Sequence, residues 1–236
     1  MKTRLRPQKA FTLIELITVI AIISILMALL FPALGAAKES ARRTKAGTVV
    51  KDIVNACKNY AIDYGKYPPI TTAQAGAGNN TYMSFGDIPA GKAKVDNNQL
   101  FYVLRAIALG ENAGNGGTKP AHYLNPRQQK YFEQPKATDS KNPRDGFVDG
   151  SEFPAGKVGQ LMDPWGNEYC IVLDTDGDDV IDMSEFFSDL VAPDNTVRFS
   201  AVAFSMAKDG IRGGKGYEGL FRKTSSTQAP DDIVSW

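Results

Sequence analysis

The stretch Phe11–Leu34, FTLIELITVIAIISILMALLFPAL, decides the fold of this chain. From Leu16 to Leu34 it runs for nineteen residues without a charge, about the length of a helix that spans the hydrocarbon core of a bilayer. The leader before it, residues 1–10, carries four cations and no acid. Because cationic flanks stay on the cytoplasmic side, we expect a single-pass membrane helix, with the N-terminus in the cytoplasm and the bulk of the chain outside it.

Glu15 does not fit a plain membrane anchor. An unpaired carboxylate drawn to mid-bilayer costs about 2.5 to 3.5 kcal/mol, so we expect Glu15 to have a cationic partner. Cleavage between Ala10 and Phe11 would create one, because the new α-amino group of Phe11 in a neighbouring copy is a cation. Pro32 removes one backbone hydrogen bond from the same helix, and neighbouring helices can compensate for this loss.

The segment Lys9–Leu16, KAFTLIEL, resembles the N-terminal signal of type IV pilins and of the pseudopilins of type II secretion. The resemblance implies cleavage after Ala10 by prepilin peptidase, methylation of the Phe11 amine and assembly of copies through Glu15. Ala10 stands where the family usually has glycine, and it is also a small residue. Pro32 matches the family's helix-kinking proline.

Two alternatives exist for the hydrophobic stretch. One is a secretory signal peptide with a cleavage site at Ala33-Leu34-Gly35, and the other is an uncleaved signal anchor. Neither requires Glu15, and the first predicts a shorter apolar run. We therefore favour the pilin-like interpretation.

Composition and charge suit one anchor helix and one soluble domain. The chain has 236 residues, of which 43% are hydrophobic, enough for a substantial core. Its formal charge is +1, and removal of the four leader cations leaves −3, which argues against nucleic acid as a partner. Cys57 and Cys170 are the only cysteines. We predict two buried free thiols, with a disulfide as the alternative that an oxidising compartment would permit.

The pattern after Pro32 predicts that the helix continues. Apolar residues recur at three- and four-residue spacing from Ala46 to Tyr64, and Gly65 then stops the helix. We divide the chain into a leader (1–10), an assembly half of the helix (11–34), a soluble half (35–65) and a globular domain (66–236). An insertion of unassigned function covers about 70–160 of that domain.

Few other segments of the domain predict regular structure. A loop is expected before residue 97, followed by a short helix over Asn97–Leu109 that Asn97 or Asn98 caps. Strands are expected over Glu168–Leu173 and Val197–Ser205. The fold class is thus α+β, a pilin-like fold in which a long N-terminal helix packs on a small antiparallel sheet with long loops.

An acidic loop of twelve residues, DTDGDDVIDMSE, runs from Asp174 to Glu185. Its oxygen-bearing residues have the spacing of an EF-hand calcium loop, although Asp179 stands at the sixth position, where glycine is usual. Such crowded carboxylates repel one another unless a hard cation lies among them, so we predict Ca²⁺. A solvated acidic turn is the alternative. The predicted ligands are Asp174, Asp176, Asp178, the Val180 carbonyl, Asp182 and Glu185.

A second acidic region covers residues 205–236. It resembles the C-terminal loop of the major pseudopilin of type II secretion, which binds calcium in that family, and Asp163–Asn167, DPWGN, resembles the family's core turn. A ten-residue spacer departs from the compact family pattern, and a plain loop is the alternative. The ligands that the resemblance implies are Ser205, Asp209, Asp231 and Asp232.

The preferred function is structural and not enzymatic, because the chain has one histidine and no evident pairing of nucleophile and base. We expect a subunit of a type II secretion pseudopilus in the inner membrane, with a periplasmic domain. Its expected partners are other pseudopilins, prepilin peptidase, the inner-membrane secretion platform and lipid. The alternatives are a type IV pilus or minor pseudopilin subunit, a monomeric membrane-anchored calcium-binding module, and an anchored hydrolase.

Overall fold

The structure, a computed structural model, describes residues 12–70, 82–86, 95–182, 196–208, 210 and 233–235. Helix α1 runs from Leu13 to Tyr64 and continues through Pro32, which confirms the predicted long helix; Phe11 lies outside the described residues. The chain divides into two compact units, residues 1–42 and residues 43–236.

The described part of the first unit is helix α1 up to Arg42. Its large apolar side chains are exposed all along the span, from Leu13 (75% exposed) to Leu34 (45%). The hydroxyl groups of Thr18 and Ser24 donate to the carbonyls of Glu15 and Ile20 at 3.0 and 2.7 Å. These polar side chains are therefore satisfied within their own helix.

The second unit is built on a small antiparallel sheet. Its central four strands have the order β1-β4-β7-β8, and β2-β3 and β5-β6 form two short ribbons. The elements after α1 are β1 (Tyr82–Phe85), α2 (Asn98–Leu104), β2 (Gly146–Phe147), β3 (Leu161–Met162), β4 (Cys170–Asp174), β5 (Ile181–Asp182), β6 (Thr196–Val197), β7 (Ala201–Ser205) and β8 (Ile233–Val234).

Two hydrophobic clusters cover the two faces of the four-stranded sheet. Alternate residues of a strand point to opposite faces, so Ile171 and Leu173 of β4 belong to the inner cluster, together with the buried stripe of α1. Cys170 and Val172 belong to the outer cluster. The outer cluster also contains Ile181 of β5 and Val197 of β6, so this ribbon supplies part of the second layer.

Helix α2 ends at Leu104, five residues before the predicted end, and the prediction to Leu109 was wrong. Ala106 adopts a left-handed conformation with φ 55°. The N–H of Ile107 donates to the Tyr102 carbonyl and that of Ala106 to the Val103 carbonyl, the two hydrogen bonds of a Schellman motif. Glycine usually occupies this position, which is why the sequence pattern extended the helix to Leu109, just before a glycine.

Asn97 or Asn98 was predicted to cap α2. Asn97 precedes the helix, but its side chain makes no capping hydrogen bond. The side chain lies fully buried. Its amide donates to the carbonyls of Leu161 and Tyr169, and its oxygen accepts the N–H of Leu161 at 3.0 Å. Asn97 therefore joins the start of α2 to the segment that leads into β4.

Strand β4 begins at Cys170, two residues after the predicted start at Glu168, and the strands differ from the prediction in two further places. The segment before residue 97 was expected to be a loop, yet it contains β1, whose residue Met83 pairs with Leu173 of β4. The single strand expected over Val197–Ser205 is divided into β6 and β7, and Phe199 between them is 41% exposed. Both errors arise because tertiary pairing decides strand boundaries in short segments.

Both cysteines are free and buried, as predicted. Cys57 lies in the inner cluster and Cys170 in the outer one, so the two thiols are in cores on opposite faces of the sheet. Burial raises the pKa of Cys57 to about 12. A thiol with such a pKa is neutral and unreactive at physiological pH.

Candidate functional sites: the start of the long helix and the acidic loops

The start of α1 is a capping box formed by Thr12 and Glu15. The backbone N–H and the hydroxyl of Thr12 donate to Glu15 Oε2 at 2.8 and 2.7 Å. In return, the N–H of Glu15 donates to Thr12 Oγ1 at 3.3 Å. This reciprocal arrangement satisfies donors that a helix start leaves without partners. Glu15 therefore already has an intramolecular partner in the isolated chain.

The predicted cleavage residues Ala10 and Phe11 lie outside the described residues, and Pro32 lies inside α1. Proline has no N–H, so the carbonyl one turn earlier, that of Ala28, loses its usual donor. Within the part of the chain that the structure describes, α1 is the one helix long and apolar enough to cross a membrane.

The acidic loop brings together three of its six predicted ligands. One carboxylate oxygen from each of Asp174, Asp176 and Asp178 lies within 4.8 Å of the others. Two oxygens on opposite sides of a Ca²⁺ ion are about 4.6 to 5.2 Å apart, so the spacing fits. Asp182 lies in β5 with its side chain exposed, Val180 is half-buried between Asp178 and β5, and Glu185 lies outside the described residues.

The backbone of this loop folds around the buried carboxylate of Asp174. Its Oδ1 accepts the N–H groups of Asp176 and Gly177 at 3.0 Å, and its Oδ2 accepts that of Asp179 at 2.9 Å. Asp179 has φ 57°, the left-handed conformation for which EF-hand loops use glycine at this position. Asp179 therefore makes the left-handed turn at the sixth position, although EF-hand loops usually have glycine there.

The neighbouring carboxylates of the loop affect one another's protonation. The pKa of the Asp176 carboxyl is raised, mainly by its hydrogen bond with Asp174, and desolvation adds to the increase. Repulsion between neighbouring carboxylates is the energetic cost that a bound cation relieves. A cleft of about 650 Å³ lies beside the loop, and Lys66, Tyr67 and Met83 are among the other residues that line it.

The turn Asp163–Asn167 is organised by another buried acid. The N–H of Gly166 donates to the Asp163 carbonyl at 3.1 Å, the hydrogen bond between first and fourth residues that closes a β-turn. Asp163 Oδ1 accepts three backbone N–H groups of the turn, and Oδ2 accepts the Ser205 hydroxyl at 2.6 Å. Burial raises the pKa of Asp163, and these hydrogen bonds oppose the increase.

Ser205 is the described member of the second predicted calcium set. Its hydroxyl donates to Asp163, and its oxygen accepts the N–H of Ala207 at 3.1 Å. Asn167 donates to the Ala207 carbonyl at 2.7 Å, so the turn also fixes the chain just after β7. Asp209, Asp231 and Asp232 lie outside the described residues, and their role in calcium binding stays a prediction.

Sequence reasoning missed Thr12 and the structural role of Asp163. The pattern Thr-x-x-Glu at a helix start is a capping-box signature, so Thr12 could have been found. Asp163 was read as a turn residue, and its pairing with Ser205 joins residues 42 positions apart. Nothing in the local sequence indicates such a pairing.

Comparisons with known proteins show what the N-terminal segment is similar to. The prokaryotic N-terminal methylation motif matches residues 5–31, which include Glu15 and the predicted cleavage site. The chain carries that motif ahead of an α+β domain, and in this respect it is similar to proteins of the type IV pilin class.

A particular relative supports this class. The type IV wide pilus major component PilA4 of Thermus thermophilus is 46% identical over 63 residues, which are 27% of this chain and 48% of the relative. The matched region thus spans about half the length of that relative. No solved structure matches the chain significantly.

Proposed function

We propose that this chain is the structural subunit of a pilin-like filament. It is inserted in the inner membrane, cleaved after Ala10 by prepilin peptidase and polymerised through the first half of α1. The Glu15 carboxylate then neutralises the α-amino group of Phe11 in a neighbouring subunit. A carboxylate and an ammonium that leave water together stabilise the packed state only as a close pair.

The observation that carries this proposal is the exposed apolar surface of α1. Fifteen large hydrophobic side chains between Leu13 and Leu34 are 45% to 75% exposed. Burying such a side chain is worth about 1.5 to 3 kcal/mol, so the segment is stable only in lipid or against other apolar helices. A filament subunit needs both environments in turn, lipid before assembly and its own copies afterwards.

The orientation follows from the leader and the composition. Four cations before the span favour a cytoplasmic N-terminus, which would place the domain in the periplasm. Lys38, just after the span, would meet lipid headgroups or acidic groups of neighbouring subunits. Lys45 instead pairs with Asp145 of its own chain at 2.7 Å, and Arg42 lies 4.0 Å from Glu39.

Two types of filament are candidates, a type IV pilus and a type II secretion pseudopilus. The similarity to a pilus component favours a type IV pilus, whereas the core turn Asp163–Asn167 and the C-terminal region 205–236 favour a type II secretion pseudopilus that works with an inner-membrane platform. Deletion of the gene separates them. Loss of surface filaments with protein export intact supports a pilus, and loss of export with surface filaments intact supports a pseudopilus.

Glu15→Leu tests the filament proposal against a monomeric anchor. The substitution keeps an apolar helix that inserts in the membrane, but it removes the counter-charge, so we expect filaments to be lost while the subunit accumulates in the membrane. Asp52→Leu, at an exposed position of the same helix outside the span, is the control. If Glu15→Leu assembled normally, the monomeric membrane-anchored module would replace this proposal.

We also propose that the acidic loop binds calcium. The three gathered carboxylates and the left-handed Asp179 support this proposal. The loop leads directly into β5, where Ile181 is fully buried in the outer cluster. Calcium would therefore hold the β5-β6 ribbon in place over the outer face of the sheet.

A further inference from the structure

The two oxygens of the Glu15 carboxylate have different surroundings. Both donors of Thr12 bind Oε2, at 2.8 and 2.7 Å. Oε1 accepts no hydrogen bond from any residue in the described parts of the chain. One oxygen is thus held within the subunit, and the other is available to a donor from outside.

We propose that Thr12 is the positioning residue for Glu15 in assembly. Its N–H and hydroxyl hold Oε2, so that Oε1 is ready to accept the Phe11 ammonium of a neighbouring subunit. A free glutamate side chain loses rotamer entropy when it is ordered, and the capping box has ordered this one before assembly begins. This inference rests on the proposed filament function.

The chemistry of the pair allows Thr12 and the ammonium to bind together. Each carboxylate oxygen offers two lone pairs, so Oε2 accommodates both Thr12 donors, and Oε1 accommodates at least one N–H of the incoming amine. Methylation leaves the amine cationic with two N–H donors. Thr12 therefore assists the intermolecular pair and does not compete with it.

Three substitutions separate positioning from mere helix capping. Thr12→Ser keeps both the cap and the hydroxyl donor. Thr12→Asp keeps a good cap but has no side-chain donor for Glu15. Thr12→Val retains the β-branched shape but has neither a capping oxygen nor a side-chain donor.

The test measures filaments sheared from cells at equal subunit levels, together with the N-terminal mass of each membrane-extracted variant. We expect Thr12→Ser to assemble within about twofold of wild type. Thr12→Val and Thr12→Asp should yield on the order of tenfold fewer filaments, the effect of one hydrogen bond to a charged group, with cleavage before Phe11 unchanged.

Several results would overturn the positioning role. Normal filament yield from Thr12→Val would do so, and so would a yield from Thr12→Asp as high as that from Thr12→Ser. A filament defect in Thr12→Ser as large as that in Thr12→Val would also contradict it. The same holds if filament loss in a variant follows from failed cleavage before Phe11. A wild-type chain that forms no filaments contradicts the proposed function itself, and this inference with it. Assembly by all variants alike contradicts only the inference.

Discussion

Asp163 shows how one buried side chain joins distant parts of the domain. It is fully buried, and its carboxylate accepts hydrogen bonds from the backbone of its own turn and from Ser205 at the end of β7. Because an ionised carboxylate is stable in a core only when its lone pairs are used, these hydrogen bonds and the turn depend on each other.

Asp163→Ala should therefore destabilise the domain by about 3 kcal/mol or more, because it leaves buried donors without an acceptor. Ser205→Ala removes one of the donors and should cost about 1 to 2 kcal/mol. Urea unfolding followed by tryptophan fluorescence measures both. Asp52→Ala, at an exposed position of α1, is the control and should change stability by no more than about 0.5 kcal/mol. Equal effects of Asp163→Ala and Asp52→Ala would refute this account of the turn.

Cys57 gives a prediction about pH. Its folded-state pKa of about 12 lies above the value of about 8.5 for a free thiol. The stability that it contributes is complete below about pH 8.5 and is lost as pH rises toward the folded value, at a slope of about 1.4 kcal/mol per pH unit. The free energy of unfolding of wild type minus that of Cys57→Ala should thus fall between about pH 9 and pH 11. A difference that is constant over this range would contradict the burial of Cys57.

The acidic loop connects directly, along the chain, to a strand of the outer cluster. Only six residues separate Asp174 at the end of β4 from Ile181 in β5. If calcium holds the loop, its removal should loosen the β5-β6 ribbon and expose the outer face of the sheet. The inner cluster, which packs on α1, should be unaffected.

The two free cysteines report on this difference. In the mature chain in detergent, a chelator should raise the maleimide labelling rate of Cys170 by about tenfold, which corresponds to about 1.4 kcal/mol of lost protection, and leave Cys57 protected. The double variant Asp176→Asn, Asp178→Asn should label quickly even in millimolar calcium, whereas Asp52→Asn should behave as wild type.

Equal Cys170 labelling rates with calcium and with chelator would show that the loop is a solvated acidic turn. A full calcium response in the double variant would instead place the ion elsewhere, with the C-terminal region 205–236 as the remaining candidate.

Asn97 connects the start of α2 to the sheet. Asn97→Ala removes three buried hydrogen bonds to backbone groups of Leu161 and Tyr169, so we expect a loss of about 2 to 3 kcal/mol. Asn55→Ala, on the exposed face of α1, should be nearly neutral or slightly stabilising because alanine favours helices. Urea unfolding of the two variants compares them. An Asn97→Ala protein as stable as wild type would mean that other contacts hold α2 in place.

The sequence was sufficient where local pattern decides structure. The apolar periodicity from Ala46 to Tyr64 predicted the buried face of α1, and the turn residues of Asp163–Asn167 predicted the turn. It was insufficient where partners distant in the chain decide, as in the pairing of β1 with β4. The end of α2 at Ala106 could not be predicted either, because glycine and not alanine is typical of that left-handed position.

The candidate sites follow the same division. The acidic spacing of the first loop was readable from the sequence, and the structure gathers Asp174, Asp176 and Asp178. The intramolecular partner of Glu15 was overlooked, although Thr12 stands three residues before it. The contact of Ser205 with Asp163 depends on how β7 meets the turn, which no local pattern contains.

The long helix α1 has two roles in the proposed subunit. The segment Leu13–Leu34 presents apolar side chains all round, and the one acid at its start is held by Thr12. A plain anchor explains the apolar surface and gives the Glu15 carboxylate no role beyond capping the helix with Thr12. A filament subunit explains both, provided that cleavage produces a cationic amine at Phe11.

The N-terminal mass of the protein extracted from membranes tests that condition most directly. We predict a mature chain that begins at Phe11 and is heavier by one CH₂ unit than the unmodified chain, because methylation replaces one hydrogen of the amine with a methyl group. A chain that begins at Met1, or one that begins near Ala36 as a secreted protein would, would contradict the filament account.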